Sequence, residues 1–325
     1  MNNLASTLAP IAIEQATKFI AKKANPPSSE LATAAAVNDK KAVKALLADH
    51  PNVNRTPALV AASAAGLLDT LDILLNTSAS RSSHHSGTTE EFRKKYLNAW
   101  SGGTTPLLAA VKENHSKTAK LLLAEGADPN LCTRGSQTPL GVAARNGFGH
   151  VTRTLLKAGA SVDYKDTIGD TALIIASRYG HSHTARYLLE QGAKIDAKNV
   201  KGGTPLLVAA RHDNPEVVDL LLKSGADVHA RDKKGKGVLH RVVEGAWFGD
   251  RVPASLKEEL INTFLEAGAD PRVKDVEGKT AAQRVGWVRG SERLKRLLDP
   301  SHQSQKHRLE EEERDEDPYK RRSTF

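Results

Sequence analysis

The sequence predicts an all-α protein, an array of about eight stacked helix-turn-helix units that carry β-hairpin fingers. Two markers locked to one interval carry this expectation. The segments Leu121-Leu122-Leu123-Ala124-Glu125-Gly126-Ala127-Asp128, Leu188-Leu189-Glu190-Gln191-Gly192-Ala193 and Leu220-Leu221-Leu222-Lys223-Ser224-Gly225-Ala226-Asp227 close alike. With Gly159, their glycines fall at 126, 159, 192 and 225, a step of 33. The second marker keeps the same step: Thr105-Pro106-Leu107, Thr138-Pro139-Leu140, Thr171-Ala172-Leu173 and Thr204-Pro205-Leu206. Such a period marks one supersecondary unit repeated along the chain. A hydrophobic content of 39% with only 4% aromatic suits a core of Ala, Leu and Val between closely packed helices.

Residues 1–28 form an N-terminal segment in which Leu8, Ile11, Gln15, Ala16 and Phe19 predict an amphipathic helix covering the first unit. Residues 4–13 lack a basic flank and Glu14 follows at once, which argues against a secretory signal; Lys22 and Lys23 leave a transit peptide open. The array spans 29–300, with degenerate ends as capping units should be. Leu31, Ala34-Ala35 and Leu46-Leu47 mark a first unit whose closing glycine is replaced by His50-Pro51. The second runs from Pro57 to Leu75, its Thr56-Pro57 displaced by one residue against the leucines.

Each well-formed unit then reads the same way. Thr-Pro opens the first helix, because proline needs no amide partner in the first turn and threonine caps the free N–H groups. Small residues, Ala109-Ala110, Ala143-Ala144 and Ala209-Ala210, let the neighbouring unit approach. A turn follows near Asn114, Gly147, Gly180 or Asp213, and the second helix stops at the glycine, which accepts a left-handed backbone. Turn residues such as Asp166-Thr167-Ile168-Gly169 and Asp232-Lys233-Lys234-Gly235 suit a finger tip. The last unit opens at Gly278-Lys279-Thr280-Ala281 and ends at Leu297-Leu298; residues 301–325, with four consecutive glutamates from Glu310, predict a charged disordered tail.

Two insertions, near 77–102 and 244–254, interrupt the beat. The first carries Phe92, Tyr96 and Trp100, four apart and so on one helix face; the second carries Trp247 and Phe248. Five of the chain's fourteen aromatic residues thus lie where the array does not need them. They either pack back to seal gaps or form partner-binding patches, since Trp and Tyr dominate interface hot spots.

These repeats resemble the ankyrin repeat, a unit of about 33 residues with a Thr-Pro-Leu-His opening and a Gly-Ala-Asp close. The opening histidine survives only at His240; Leu108, Gly141, Ile174 and Leu207 stand in its place elsewhere. The resemblance implies a curved solenoid, a concave groove that faces the end of each first helix, and a histidine hydrogen-bond network that is depleted here.

Seven residues after each opening threonine stand Lys112, Arg145, Arg178 and Arg211. Stacking would align them as a cationic stripe, either a family feature or a groove that selects an acidic, extended partner; mutual repulsion favours a compensating ligand. A second basic group, Lys198, Lys201, Arg231, Lys233, Lys234, Lys236 and Lys274, falls on finger tips, where solvated charge is common. The tips lack the aromatics that stack on bases, so direct nucleic-acid binding is disfavoured. The net charge of +9 and the pI near 9.5 point first to an acidic protein surface.

No catalytic constellation is present, so the chain reads as non-enzymatic. Glu277-Gly278-Lys279-Thr280 imitates a phosphate loop, but Val273 stands where the first glycine is required. His181, His183, His84 and His85 lack acidic or thiolate partners at ligand spacing, and Asp163 with Asp166 falls in turns. No cofactor or metal is expected. The single Cys132 precludes an internal disulfide and suits a reducing compartment. No apolar run reaches the length of a membrane span. The expected function is a protein-protein interaction scaffold, a monomer in nucleus or cytoplasm, acting as a transcriptional co-regulator through another protein. Lys320-Arg321-Arg322 permits nuclear import. The alternative is a cytoplasmic or membrane-associated signalling or ubiquitin-type adaptor.

Overall fold

The computed structural model describes residues 26–76, 94–133, 136–245, 254–285 and 291–301. The N-terminal helix, Phe92, Trp247, Phe248 and the charged tail lie outside the described residues. Among those described, sixteen helices form eight consecutive pairs, and one more helical turn lies at 94–97 between the second and third pairs. The chain divides into two compact units: one runs to Thr167 and takes in residues 190–192, and the other holds the remainder.

In the first compact unit the pairs are α1 (Pro26–Ala36) with α2 (Lys40–Asp49), α3 (Thr56–Ala64) with α4 (Leu68–Asn76), α5 (Pro106–Lys112) with α6 (Ser116–Ala124), and α7 (Pro139–Asn146) with α8 (Gly149–Lys157). First helices stack in one layer, α1 on α3 on α5 on α7; second helices stack in another, α2 on α4 on α6 on α8. In the second compact unit the pairs are α9 (Ala172–Arg178) with α10 (Ser182–Glu190), α11 (Pro205–Arg211) with α12 (Pro215–Lys223), α13 (Val238–Glu244) with α14 (Ala254–Glu266), and α15 (Ala281–Arg284) with α16 (Ser291–Leu297). There α9, α11, α13 and α15 stack in order, and α12, α14 and α16 do likewise.

The helices begin where the sequence places caps. Thr105, Thr138, Thr171 and Thr204 have extended backbones, and each hydroxyl accepts a bond from the amide three residues on, at 3.0 to 3.3 Å. Thr280 and Gln283 form a reciprocal capping box. The second repeat departs from this: Thr56 lies inside α3, and Arg55 precedes it with no side-chain cap. Arg55 is instead buried, donating to the Leu74 carbonyl at 2.7 Å, and burial pulls its pKa below the usual guanidinium range.

Close stacking follows from the small residues. Ala110, Ala143, Ala144, Ala209 and Ala210 are fully buried, as are Leu122, Leu155, Leu188 and Leu221 of the second helices. Each such leucine contributes about 1.5–3 kcal/mol by leaving water. The helix-closing glycines 126, 159, 192 and 225 all have left-handed φ, between 83° and 98°. The inter-helix turns use the same region at Asn114, Gly147, Gly180 and Asp213.

The fingers are hydrogen-bonded turns rather than strand ladders; Ser101 with Thr104 and Lys274 with Thr280 are the isolated bridges among the described residues. Each turn is capped by a side chain at its base. Asn199 accepts from the amides of Lys201 and Gly203, Asp232 from those of Lys234 and Lys236, and Asp275 from those of Glu277 and Lys279. His240 bonds the Lys279 carbonyl at 3.1 Å, so the one surviving opening histidine does tie neighbouring repeats together.

Candidate functional site

The four predicted helix-end cations lie in the last turns of α5, α7, α9 and α11, where a positive charge suits the carbonyl end of the helix. In the first compact unit Lys112 and Arg145 are both exposed. In the second, Arg211 is exposed but Arg178 is not a free groove cation. Its guanidinium Nη1 stands 2.5 Å from Asp170 Oδ2, and the Asp170 side chain is fully shielded from solvent. Asp170 Oδ1 also accepts from Asn199 Nδ2 at 2.8 Å, which joins the pair to the base of the next finger. Arg178 is therefore a strut within its own unit, a correction to the expectation of four equivalent cations.

The reason lies one residue before each opening threonine. That register holds Thr104, Gln137, Asp170 and Gly203, so only Arg178 finds a carboxylate eight residues behind it. In the following repeat the same register holds Lys236 and Glu244, which pair with the charges reversed. Lys236 is buried, not a solvated tip residue as its sequence suggested. A burial cost this large is tolerated only with a partner.

A second strut uses the finger caps. Asp232 Oδ2 accepts from Arg241, nine residues on, and Asp275 Oδ2 accepts from Arg284 at the same spacing, with Nε at 2.7 Å. For Asp275, burial alone would raise the carboxyl, but the amides of Lys279 and Glu277 together with the Arg284 guanidinium bring it down to about 2. Sequence reading missed both pairs. The repeated spacing of nine was the available signal.

Two ionisable groups beside Arg211 bear on this surface. His212 is exposed at its edge, yet partial burial of the imidazole and the flanking cations Arg178 and Arg211 lower its pKa, against an opposing pull from Asp170. Asp213 occupies the left-handed turn between α11 and α12, φ 52°, with neither carboxylate oxygen hydrogen-bonded. Burial raises its pKa, partly offset by Lys257. Its oxygens lie against the Cα of Gly245, where an added Cβ would meet them at 3.0 and 3.1 Å.

The end of the first insertion is docked. Leu97 is fully buried, and the Tyr96 carbonyl accepts from the Thr56 hydroxyl at 3.4 Å. Asn98 accepts from the Asp128 amide and donates to the Gly126 carbonyl, as Asn130 does with Ser161 and Gly159 one repeat later. The repeat register is thus restored by Asn98. Tyr96 is half-buried, while Trp100 is 40% exposed, so the two described aromatics of this insertion differ in their burial. No helix among the described residues is long and apolar enough to cross a membrane.

Comparison with known proteins agrees with this geometry. The family described as "Ankyrin repeats (3 copies)" matches residues 31–131, 85–166 and 140–232. No curated protein matches the chain. Among solved structures, the chain is similar to the crystal structure of the ankyrin repeat domain of Bcl-3, described as a unique member of the IkappaB protein family. The two are 27% identical with a TM-score of 0.59, over 74% of this chain and 96% of that one.

Proposed function

Because the chain belongs to the ankyrin-repeat family, we propose that it is a non-enzymatic adaptor whose exposed helix-end cations bind an acidic protein partner. The observation that carries this reading is the exposure, at one repeat register, of Lys112 and Arg145 in the first compact unit and of Arg211 in the second. Exposed cations at a repeated register form the kind of surface that an acidic partner can meet. Exposed Trp100 offers an apolar anchor beside the first repeats that carry them. Trp247, Phe248 and Phe92 extend the candidate contact set from the two insertions.

The likeness to an IkappaB-family ankyrin domain supports a role in transcriptional regulation, exercised through the bound protein, in nucleus or cytoplasm. Direct nucleic-acid binding is less favoured, because the basic finger tips carry no aromatic residue. The adaptor reading is of a monomer needing no cofactor.

The test is affinity capture from cells with wild type and with a Lys112→Glu/Arg145→Glu/Arg211→Glu variant. Exposed pairs contribute a fraction of a kcal/mol to about 1 kcal/mol each, so three reversals should weaken the main partner by about tenfold or more. The loss should be smaller at high salt, and the melting curve should be unchanged. Equal capture by the variant would remove these cations from the recognition surface.

A further inference from the structure

In the second compact unit the finger tips are joined by main-chain bonds. The Val200 amide donates to the Ile168 carbonyl at 3.1 Å, Lys233 to Lys201 at 3.0 Å, and Val276 to Lys234 at 3.0 Å. Gly169 and Gly202 make this approach possible: both have left-handed φ, and a Cβ on either would stand 2.8 Å from the next tip's amide nitrogen. The pairs Asp170–Arg178, Asp232–Arg241 and Asp275–Arg284 brace the fingers from within. Four successive tips therefore present a row held at both tip and base.

The outward chemistry of this row is unusual for solvated turns. Ile168, Val200 and Val276 are 49%, 52% and 70% exposed, half of the six large hydrophobic residues that are exposed among those described. Between and beside them stand exposed Lys198, Lys201, Lys233, Lys234, Lys274 and Lys279. Glu277 is the exposed acid on these tips; Arg284 holds it at 2.9 Å and Lys279 stands 3.9 Å from it, which leaves the other lysines to set the sign of the row.

We propose that this finger-tip row is a docking surface for an anionic lipid bilayer. Aliphatic tips enter the headgroup region while flanking ammonium groups neutralise lipid charge, the two signals that together retain a peripheral protein. A bilayer needs no preformed pocket. An extended peptide would need an open main-chain edge, and the tip-to-tip bonds already use donors and acceptors along this one. Bases would need aromatic platforms, which these tips lack. The site uses residues other than the helix-end cations, so it stands or falls apart from the adaptor reading.

Co-sedimentation of the full chain with phosphatidylcholine vesicles, with and without phosphatidylserine, tests the proposal. Wild type is expected to sediment only with the phosphatidylserine vesicles. Lys201→Glu/Lys233→Glu/Lys234→Glu should abolish binding. Val200→Ser/Val276→Ser, which leaves the charge unchanged, should weaken it about tenfold through lost apolar contact. Melting curves should match wild type for both variants, because the bonds at these positions are main-chain ones. Wild type that ignores both vesicles, or binds both equally, overturns the proposal. So does undiminished binding by the lysine variant, which would place the contact elsewhere on the chain. Wild-type affinity in the valine variant, with displacement by soluble polyglutamate, would assign the row to an acidic polypeptide instead.

Discussion

Arg178 and Arg211 occupy the same place in consecutive repeats, yet removing the first should be costly and removing the second nearly neutral. Arg178→Ala leaves the Asp170 carboxylate, fully shielded from solvent, without its cation. Losing one partner of a buried pair costs about 3–5 kcal/mol. The Arg178 side chain is 24% exposed, so water recovers part of the loss and about 2–4 kcal/mol is expected. Arg211→Ala removes an exposed side chain and should stay within about 0.5 kcal/mol. In urea, with a slope of about 2 kcal/mol per molar, the first variant should lower the midpoint of the second unit's transition by about 1–2 M. The second should barely move it. Adding Asp170→Asn to Arg178→Ala should cost less than the two single changes summed, because the orphaned charge is then gone. Equal midpoints for the two arginine variants, or strict additivity in the cycle, would refute the strut. The outcome also bears on binding experiments: reversing Arg178 would weaken capture by unfolding the site's own repeat, whatever it contacts.

Three further outcomes are expected. Asp213→Asn should stabilise the protein at neutral pH by about 1–2 kcal/mol, since burial raises this carboxyl and the folded state resists its charge. The sign makes the gain largest above the carboxyl's folded pKa and makes it vanish at acid pH below the unfolded value of about 3.9; a variant less stable at pH 7 would show that the carboxylate is paired. His212 is depressed, so its contribution is present above the unfolded imidazole value of about 6.5 and lost as pH falls; His212→Gln should flatten that part of the stability profile, and an NMR titration at or above 6.5 would contradict it. Gly225→Val has open space around the new side chain but a left-handed φ of 87°, so strain alone should cost about 1 kcal/mol or more; an unchanged urea midpoint would deny that strain.

Much of the array was legible because its signals are local. Thr105, Thr138, Thr171 and Thr204 cap amides three residues away, and the glycines at 126, 159, 192 and 225 relieve strain at their own positions. Neither effect depends on a distant partner, so a fixed interval in the chain displays both. Thr56 shows the limit: the same Thr-Pro pair does not cap α3, because buried Arg55 stands at the helix start and bonds back to Leu74.

The sequence by itself determined the repeat, its period, the helix stops and the register at which cations recur. Tertiary structure decided which of those cations stay exposed and which is drawn into an ion pair. Arg178 and Arg211 look alike in the chain, but the first meets a desolvated carboxylate joined to the next finger and the second meets water. Lys236 resembles its neighbour Lys234 in the chain, yet stacking buries it against Glu244. The difference is physical. Caps and turns are settled within a few residues of backbone, whereas the cost of a charge depends on how much water packing removes and which opposite charge it brings near.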